Sequence, residues 1–157
     1  MSWEETPSSK PKIKKQLKFL IEGLAKSNLM SKLKPEDLVL KYFKGVDEED
    51  IGAILKTLTK DCIFSVETHK IKLTGHEEIT NMFKRLWKNH RSVEHKEFNF
   101  VKDPTSNQIA VRFQVKNVHH NGQIVLKSNC NFFTLKDGIF SEVRVYMAGE
   151  NTLNKEG

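Results

Sequence analysis

The chain has 157 residues, of which 38% are hydrophobic and 29% are charged, and its formal net charge is +6. This length suits one domain with a buried core, and the composition is typical of soluble globular proteins. The sequence has no apolar run near the roughly 18 residues of a transmembrane helix and no secretory signal pattern at its start, so we expect a cytoplasmic protein.

The positive charge is concentrated in residues 1–34. They hold eight Lys and three acidic residues, a net charge of +5, whereas residues 35–157 hold 18 basic and 17 acidic residues, a net charge of +1. A domain that binds nucleic acid would be expected to carry a basic face of its own. The distribution therefore predicts no nucleic-acid partner.

Residues 1–34 are predicted to form a basic N-terminal arm. Its start, residues 1–12, is rich in Pro and Ser and is predicted to be disordered. Further on, apolar residues recur on one helical face: Ile13, Leu17, Leu20, Ile21 and Leu24. This pattern predicts an amphipathic helix. Two interpretations stay open: residues 10–34 contact a membrane surface or a partner protein, or the apolar face packs on the domain or a second subunit.

Helix signals dominate the next part of the chain. Pro35 is typical of a first helical turn, and Asp47 is placed to cap a second helix. The apolar run at residues 62–66 predicts a strand. Thr74-Gly75 then marks a turn, and residues 77–89 carry the apolar spacing of a third helix.

The second half predicts four strands separated by turn signals. The strands cover residues 93–102, 108–119, 123–135 and 139–148. Asn121-Gly122 and Asp137-Gly138 are typical of hairpins. Helices followed by a meander of strands predict an α+β domain. We assign it to residues 35–150 and expect a flexible tail over residues 151–157.

Four pieces of sequence, in this order, resemble the SnoaL-like branch of the nuclear-transport-factor-2-like superfamily. They are YFKGVDEEDIGAIL, TKDCIFSVE, LTGHEEI and NFFTLKDGIFSEVRVY, within about residues 36–149. The resemblance implies a cone, in which a strongly curved antiparallel sheet wraps around three helices, here with an extra N-terminal amphipathic helix. Homodimers through the exposed sheet face are common in such families, so it also implies a homodimer.

The stretch 42–86 is similar to ketosteroid isomerases, which implies roles for individual residues. Tyr42 falls where these enzymes place the tyrosine of the oxyanion hole, and Asn131 falls where they place a second donor, a protonated aspartic acid. The position of the general base falls on Val66, which cannot accept a proton. The base is therefore open, and the candidates are His95, Glu97 and Glu142.

The cone is expected to enclose a pocket for a hydrophobic small molecule with one or two polar oxygens. Asn129 and Asn131 share a strand face, and buried asparagines need hydrogen-bond partners. The predicted pocket residues are Tyr42, Phe64, Val66, Met82, Phe113, Asn129, Asn131, Phe133 and Tyr146. Glu142 and Arg144 share the face of Tyr146, and the pattern leaves open whether that face points into the cone.

No metal or cofactor is predicted, because the histidines lack ligand spacing and no phosphate loop or nucleophile motif is present. Cys62 and Cys130 lie in strand-like runs and are predicted to be reduced thiols. Two functions remain. One is an enzyme related to isomerases, cyclases or hydratases, with Tyr42, Asn131 and His95 as catalytic candidates. The other is a non-catalytic dimerisation or adaptor module that contacts a partner protein or membrane through its basic helix.

Overall fold

The computed structural model describes residues 10–31 and 33–153. They fall into two compact units, one within residues 1–32 and the other within residues 33–157. The first unit contains helix α1 (Lys10–Ser31). Its apolar side chains Ile13, Leu17, Leu20, Ile21 and Leu24 are all more than half exposed. Residues 1–9, the main part of the predicted disordered start, lie outside the described residues.

Three further helices belong to the second unit: α2 (Pro35–Asp47), α3 (Ile51–Lys56) and α4 (Gly75–Asn89). The cap of α3 differs from the prediction. Asp50 is the capping residue, because its Oδ1 accepts a hydrogen bond from the backbone N–H of Ala53 at 2.9 Å. The assignment of this cap to Asp47 was wrong, since α2 continues past Gly45 and Asp47 is its last residue.

Six strands form one open, curved sheet in the order β2-β1-β6-β5-β4-β3. The strands are β1 (Leu58–Val66), β2 (Ile71–Thr74), β3 (Ser92–Lys102), β4 (Gln108–Val118), β5 (Ile124–Lys136) and β6 (Ile139–Tyr146). Neighbouring strands are antiparallel except β1 and β6, which are parallel. Together with the helices, this architecture confirms the predicted α+β cone fold.

The first hairpin differs most from the predicted strands. Strand β1 begins at Leu58, earlier than predicted, and β2 was not predicted at all. Strand β2 has only four residues, of which only Leu73 is fully buried, so its period-two pattern is too short to detect. It pairs with residues 63–66 of β1 after a short 3₁₀ turn at Glu67–His69.

The core lies between the concave face of the sheet and helices α2 and α4. Phe64, Phe133 and Phe140 are fully buried on this face, and α4 contributes Ile79 and Met82. Cys62 and Cys130 are free thiols. None of the helices in the described part of the chain is long and apolar enough to cross a membrane.

Candidate functional site

A small cavity opens into the concave side of the sheet, beside helices α2 and α4. Its volume is about 40 Å³. The polar side chains in its wall are those of Tyr42, His95, Asn117, Asn129, Asn131 and Thr152. The space suits a few water molecules, whereas pockets for drug-sized ligands measure about 300–1,000 Å³. A ligand of that size can enter only if part of the wall moves.

Aromatic side chains account for the small volume. The ring of Phe43 packs against Phe113 with ring centroids 4.5 Å apart, and Tyr42 lies edge-on to Phe43 and Phe83 at 5.0 and 6.2 Å. These four rings all line the cavity. They make the wall on the side of α2 and α4 apolar and well packed.

His95 of β3, which lines the cavity, forms a hydrogen-bonded pair with Asp47 of α2. The ring Nδ1 of His95 and Oδ1 of Asp47 are 2.5 Å apart, and the backbone N–H of His95 donates to Oδ2 at 3.0 Å. Because both carboxylate oxygens bind the same residue, the imidazole is fixed in orientation. A carboxylate at Nδ1 favours the tautomer with its proton there, which leaves Nε2 as the nitrogen able to accept a proton.

A β-bulge explains why His95 points inward. The register between β3 and β4 shifts between Lys96 and Asn99, and Glu97 inside this interval has a φ of +56°. Val93 and His95 face the helices before the bulge, and the inward set moves by one residue after it. Because of this shift, the inward-facing residues of β3 do not alternate regularly along the sequence. The sequence alone therefore does not show which way His95 points.

Three asparagines form the polar side of the cavity. Asn117 of β4 and Asn129 and Asn131 of β5 are all buried. The Oδ1 of Asn129 accepts a hydrogen bond from the backbone N–H of Ala148 at 3.0 Å. Within the described residues, neither side-chain atom of Asn117 has a partner, and the same holds for Oδ1 of Asn131. Unpaired buried polar groups cost about 1–3 kcal/mol each, so these amides are placed to bind a polar group or water.

The hydroxyl of Tyr42 remains a hydrogen-bond donor at any ordinary pH. Burial, with a smaller contribution from Cys62, raises its pKa well above the usual range. Burial likewise raises the pKa of the Cys62 thiol to about 12, so Cys62 is protonated and inert. Tyr42 therefore offers the cavity a neutral O–H group.

The segment after β6 completes the wall. Met147, Thr152 and Leu153 line the cavity. The backbone N–H of Met147 donates to Oγ1 of Thr68 at 3.3 Å, and Gly149 has a φ of +65°. Leu153, which the sequence placed in a flexible tail, is only 9% exposed. A few hydrogen bonds thus hold residues 147–153 against the cavity.

The structure distributes the predicted pocket residues over three places. Tyr42, Phe64, Phe113, Asn129 and Asn131 line the cavity. Val66, Met82 and Phe133 are buried in the core outside its wall. Tyr146 is 41% exposed on the outer face of the sheet, where its ring packs on Phe132 at 5.7 Å, so its assignment to the pocket is corrected.

The three candidate bases also lie at different places in the structure. Glu97 is exposed at the bulge of β3. Glu142 lies on the outer face of β6, where its Oε1 accepts a hydrogen bond from Nε of Arg144 at 2.9 Å. Only His95 borders the cavity. In the described ranges 10–31 and 33–153, no group of three or more His, Cys, Asp or Glu residues could hold a metal ion.

Two residues of the site were missed by the sequence. Asn117 follows Val115 on the alternating face of β4, so continuing that alternation by one step would have found it. No local sequence pattern indicates that Asp47 belongs to the site. It contacts His95 across 48 positions of the chain, and its local context resembles a helix cap.

Comparison with known proteins places the chain in a family. The model of the SnoaL-like domain matches residues 39–143, which is more than half of the sequence. The chain belongs to the SnoaL-like family. This membership confirms the resemblance carried by the four sequence pieces. No curated protein matches this SnoaL-like chain.

Solved structures show the same fold at low sequence identity. A candidate polyketide cyclase from Xanthomonas campestris pv. campestris is 18% identical, has a TM-score of 0.66 and is matched over 76% of this chain and 91% of its own. A protein with a ketosteroid isomerase-like fold from Catenulispora acidiphila, in complex with trimethylamine, is 10% identical, with a TM-score of 0.64 over 73% and 86% of the two chains. TerC, co-crystallised with polyporic acid, is 14% identical, with a TM-score of 0.64 over 71% and 88%.

Proposed function

We propose that this SnoaL-like domain binds a small, largely apolar molecule in its cone and catalyses a proton transfer of the isomerase or cyclase type. The observation that carries the proposal is that His95, which lines the cavity, is held by Asp47, with Nδ1 and Oδ1 2.5 Å apart. A histidine fixed by a carboxylate supplies the base that is absent at Val66.

The proposed reaction begins at a carbon next to a carbonyl group. Nε2 of His95 takes a proton from this carbon, and the imidazolium that forms is stabilised by the carboxylate of Asp47. Negative charge develops on the carbonyl oxygen, where the Tyr42 hydroxyl and the Asn131 amide are the candidate donors. Return of the proton to another carbon of the extended enolate gives an isomer. Attack of the enolate carbon on a second carbonyl group of the same molecule gives a ring, and the new alkoxide takes the proton back from the His95 imidazolium.

The proteins of similar structure support this class of ligand but do not identify the compound. TerC was crystallised with polyporic acid, and the Xanthomonas protein is a candidate polyketide cyclase. Both are under 20% identical to this chain, so their ligands are only a guide. The apolar wall and the few polar groups of the cavity fit a compact, mostly carbon skeleton with one or two oxygens.

The test has two stages. A thermal-shift screen of the full chain against steroids, terpenoids, aromatic polyketides and fatty acids first identifies binders. NMR then measures exchange of their carbon-bound protons for deuterium. We expect His95→Gln to bind the same compounds but to exchange them at least about 100-fold more slowly, the contribution of a general base. The matched control is His120→Gln, because His120 is exposed and its Nε2 binds the backbone carbonyl of Lys88.

Two results would contradict the proposal in different ways. If no compound raises the melting temperature, the cavity is not a binding site. If a compound binds and exchanges equally fast with wild-type protein and His95→Gln, the domain is a binder in which His95 is not the base.

A second candidate function is a non-catalytic adaptor. It is favoured by the tight aromatic packing around the 40 Å³ cavity and by the exposed apolar row of α1 among lysines. In this function α1 inserts its apolar row into an anionic membrane surface. Sedimentation of the full chain with vesicles containing phosphatidylserine tests it. Binding to the vesicles should fall for Leu17→Ser and persist for Gln16→Ser. The adaptor function is contradicted if Leu17→Ser binds the vesicles as well as wild type does, or if wild type does not bind them.

The homodimer remains a prediction. Ile124, Leu126, Phe132 and Tyr146 are exposed apolar residues on the outer face of β5 and β6. A second copy of the chain would bury this row in a two-fold symmetric contact. Light scattering should give twice the monomer mass for wild type and the monomer mass for Leu126→Asp. A wild-type monomer at high concentration would refute the dimer.

A further inference from the structure

Lys127 is a buried cation beside the cavity. It is 5% exposed and lies on the inward face of β5, two residues before Asn129. Its register partner in β4 is Val115. Val115 and Asn129 both line the cavity, so strand register places Lys127 next to two residues of its wall.

The ammonium group of Lys127 has only a neutral partner. Its Nζ donates to the backbone carbonyl oxygen of Glu150, in the segment 147–153. None of the carboxylates in the described part of the chain forms an ion pair with it. The carboxylate of Glu150 is exposed and exerts a weaker attraction, while burial lowers the pKa of Lys127. A buried cation without a paired anion is costly, which marks this position as one that an anion would stabilise.

The unsatisfied side-chain amide of Asn117 belongs to the strand next to Lys127. Asn117 is opposite Val125, and Lys127 is opposite Val115, so Asn117 and Lys127 are diagonal neighbours on one face of adjacent strands. Such neighbours are within reach of a long side chain. Asn117 is 1% exposed and lines the cavity, and its Nδ2 has no partner among the described residues.

Histidine side chains lie near Lys127 and add no negative charge. His90 is buried, and its Nδ1 is 2.8 Å from the carbonyl oxygen of Leu86. Burial lowers its pKa by more than this hydrogen bond raises it, and the charges of His119, Lys127 and His120 add smaller decreases. The surroundings of Lys127 are therefore neutral or positive apart from Glu150, which favours an anionic ligand.

We propose that Lys127 and Asn117 form an anion subsite of the cavity, and that the ligand is an apolar carboxylic acid. This inference rests on the proposed function and names its ligand class. In the structure the Glu150 carbonyl accepts the hydrogen bond from Lys127 that we assign to an oxygen of the ligand. Displacement of residues 147–153 frees the ammonium and enlarges the cavity in the same movement.

The subsite also orients the ligand. His95 pairs with Val115 across β3 and β4, and Val115 pairs with Lys127 across β4 and β5. His95 and Lys127 therefore lie two strand spacings apart, about 10 Å between backbones. A carboxylate held by Lys127 would leave the other end of a compact ring system facing His95.

Two probes of equal shape test the proposal: 2-naphthoate, which carries a carboxylate, and the neutral 2-naphthamide. Calorimetric titration of the full chain should give at least about tenfold tighter binding of 2-naphthoate, because a charge-assisted hydrogen bond is stronger than a neutral one. Lys127→Met should remove this preference. Lys136→Met, at the exposed end of the same strand, should keep it.

Asn117→Leu provides a second variant in case Lys127→Met does not fold. It should weaken binding of 2-naphthoate without lowering the melting temperature, because the amide has no protein partner to lose. The anion subsite is overturned if wild type binds the two probes equally well. It is also overturned if Lys127→Met and Asn117→Leu both keep the preference for 2-naphthoate. Neither result contradicts the proposed function. If neither probe binds but compounds of the wider panel do, the subsite is overturned and the cavity stands. If nothing binds, both proposals fail.

Discussion

The two ends of the concave sheet face differ in how well their buried groups are satisfied. At one end, Phe133 and Phe140 are fully buried in an apolar core. At the other end, buried Asn117 and Asn131 line a cavity and lack full sets of partners, and the nearby Lys127 amine has only the neutral Glu150 carbonyl as a partner. The first end holds the fold together, whereas the second retains polar groups that reduce stability. Such a contrast within one sheet is typical of a scaffold that carries a binding site.

The largest predicted effect is on the apolar end. Phe133→Ala should lower the free energy of unfolding by about 3–5 kcal/mol, because it leaves a cavity among Tyr42, Phe43 and Phe140. Urea denaturation measures the change. The control is Phe132→Ala, one residue earlier but 40% exposed on the outer face, which should cost less than about 1 kcal/mol. Equal losses would mean that the described division of the two faces is incorrect.

The next effect concerns the link between α2 and β3. Asp47→Asn keeps the size of the side chain but removes the charge that binds His95 at Nδ1. Stability should fall by about 1–2 kcal/mol, because a hydrogen bond to a charged group is lost and the carboxylate is partly exposed. Nitrogen NMR should also show that the His95 ring no longer keeps its proton on Nδ1. Asp37→Asn, on an exposed position of the same helix, should change neither quantity.

A smaller effect of opposite sign is expected at the polar end. Asn117→Leu should leave the free energy of unfolding unchanged or raise it by up to about 1 kcal/mol, because an unpaired buried amide is replaced by an apolar group. Asn129→Leu should lower it, because Asn129 accepts the hydrogen bond from Ala148. The pair thus separates a structural asparagine from one available to a ligand. A loss as large for Asn117→Leu as for Asn129→Leu would remove that distinction.

The smallest effect is a dependence on pH. Burial lowers the pKa of His90 in the folded state, so the unfolded chain binds a proton first as the pH falls. Stability should therefore decrease as the pH drops below the ordinary histidine pKa of about 6.5 and level off below the lowered folded pKa. Denaturation curves between pH 8 and pH 5 for wild type and His90→Gln measure this slope. The slope should be shallower in the variant and unchanged in His120→Gln.

The sequence predicted the parts of the molecule that follow local rules. Alternation along residues 109–115 placed Phe113 inward, and Asn121-Gly122 and Asp137-Gly138 separated β4, β5 and β6 correctly. Local patterns also put Asn129 and Asn131 on one buried face. These features depend on neighbours two to four positions away, which a single sequence displays.

The parts that were not predicted depend on register or on distant contacts. His95 could not be oriented because the bulge at Glu97 breaks the alternation of β3. Tyr146 was placed inward, but Val143 and Val145 are the buried residues at this end of β6, so Tyr146 faces outward. Asp47 acquires its role only because α2 ends beside β3. Strand register and packing between elements decide all three, and neither is encoded locally.

The central claim is that the polar end of the concave face is a ligand site. Two-dimensional NMR of the full chain tests it most directly, by following the side-chain amide signals of Asn117 and Asn131 while panel compounds are added. We predict that a binding compound shifts both amide signals together with the methyl signals of Met147 and Leu153, which line the same cavity. Shifts confined to α1 or to the outer sheet face, with these signals unmoved, would contradict the claim.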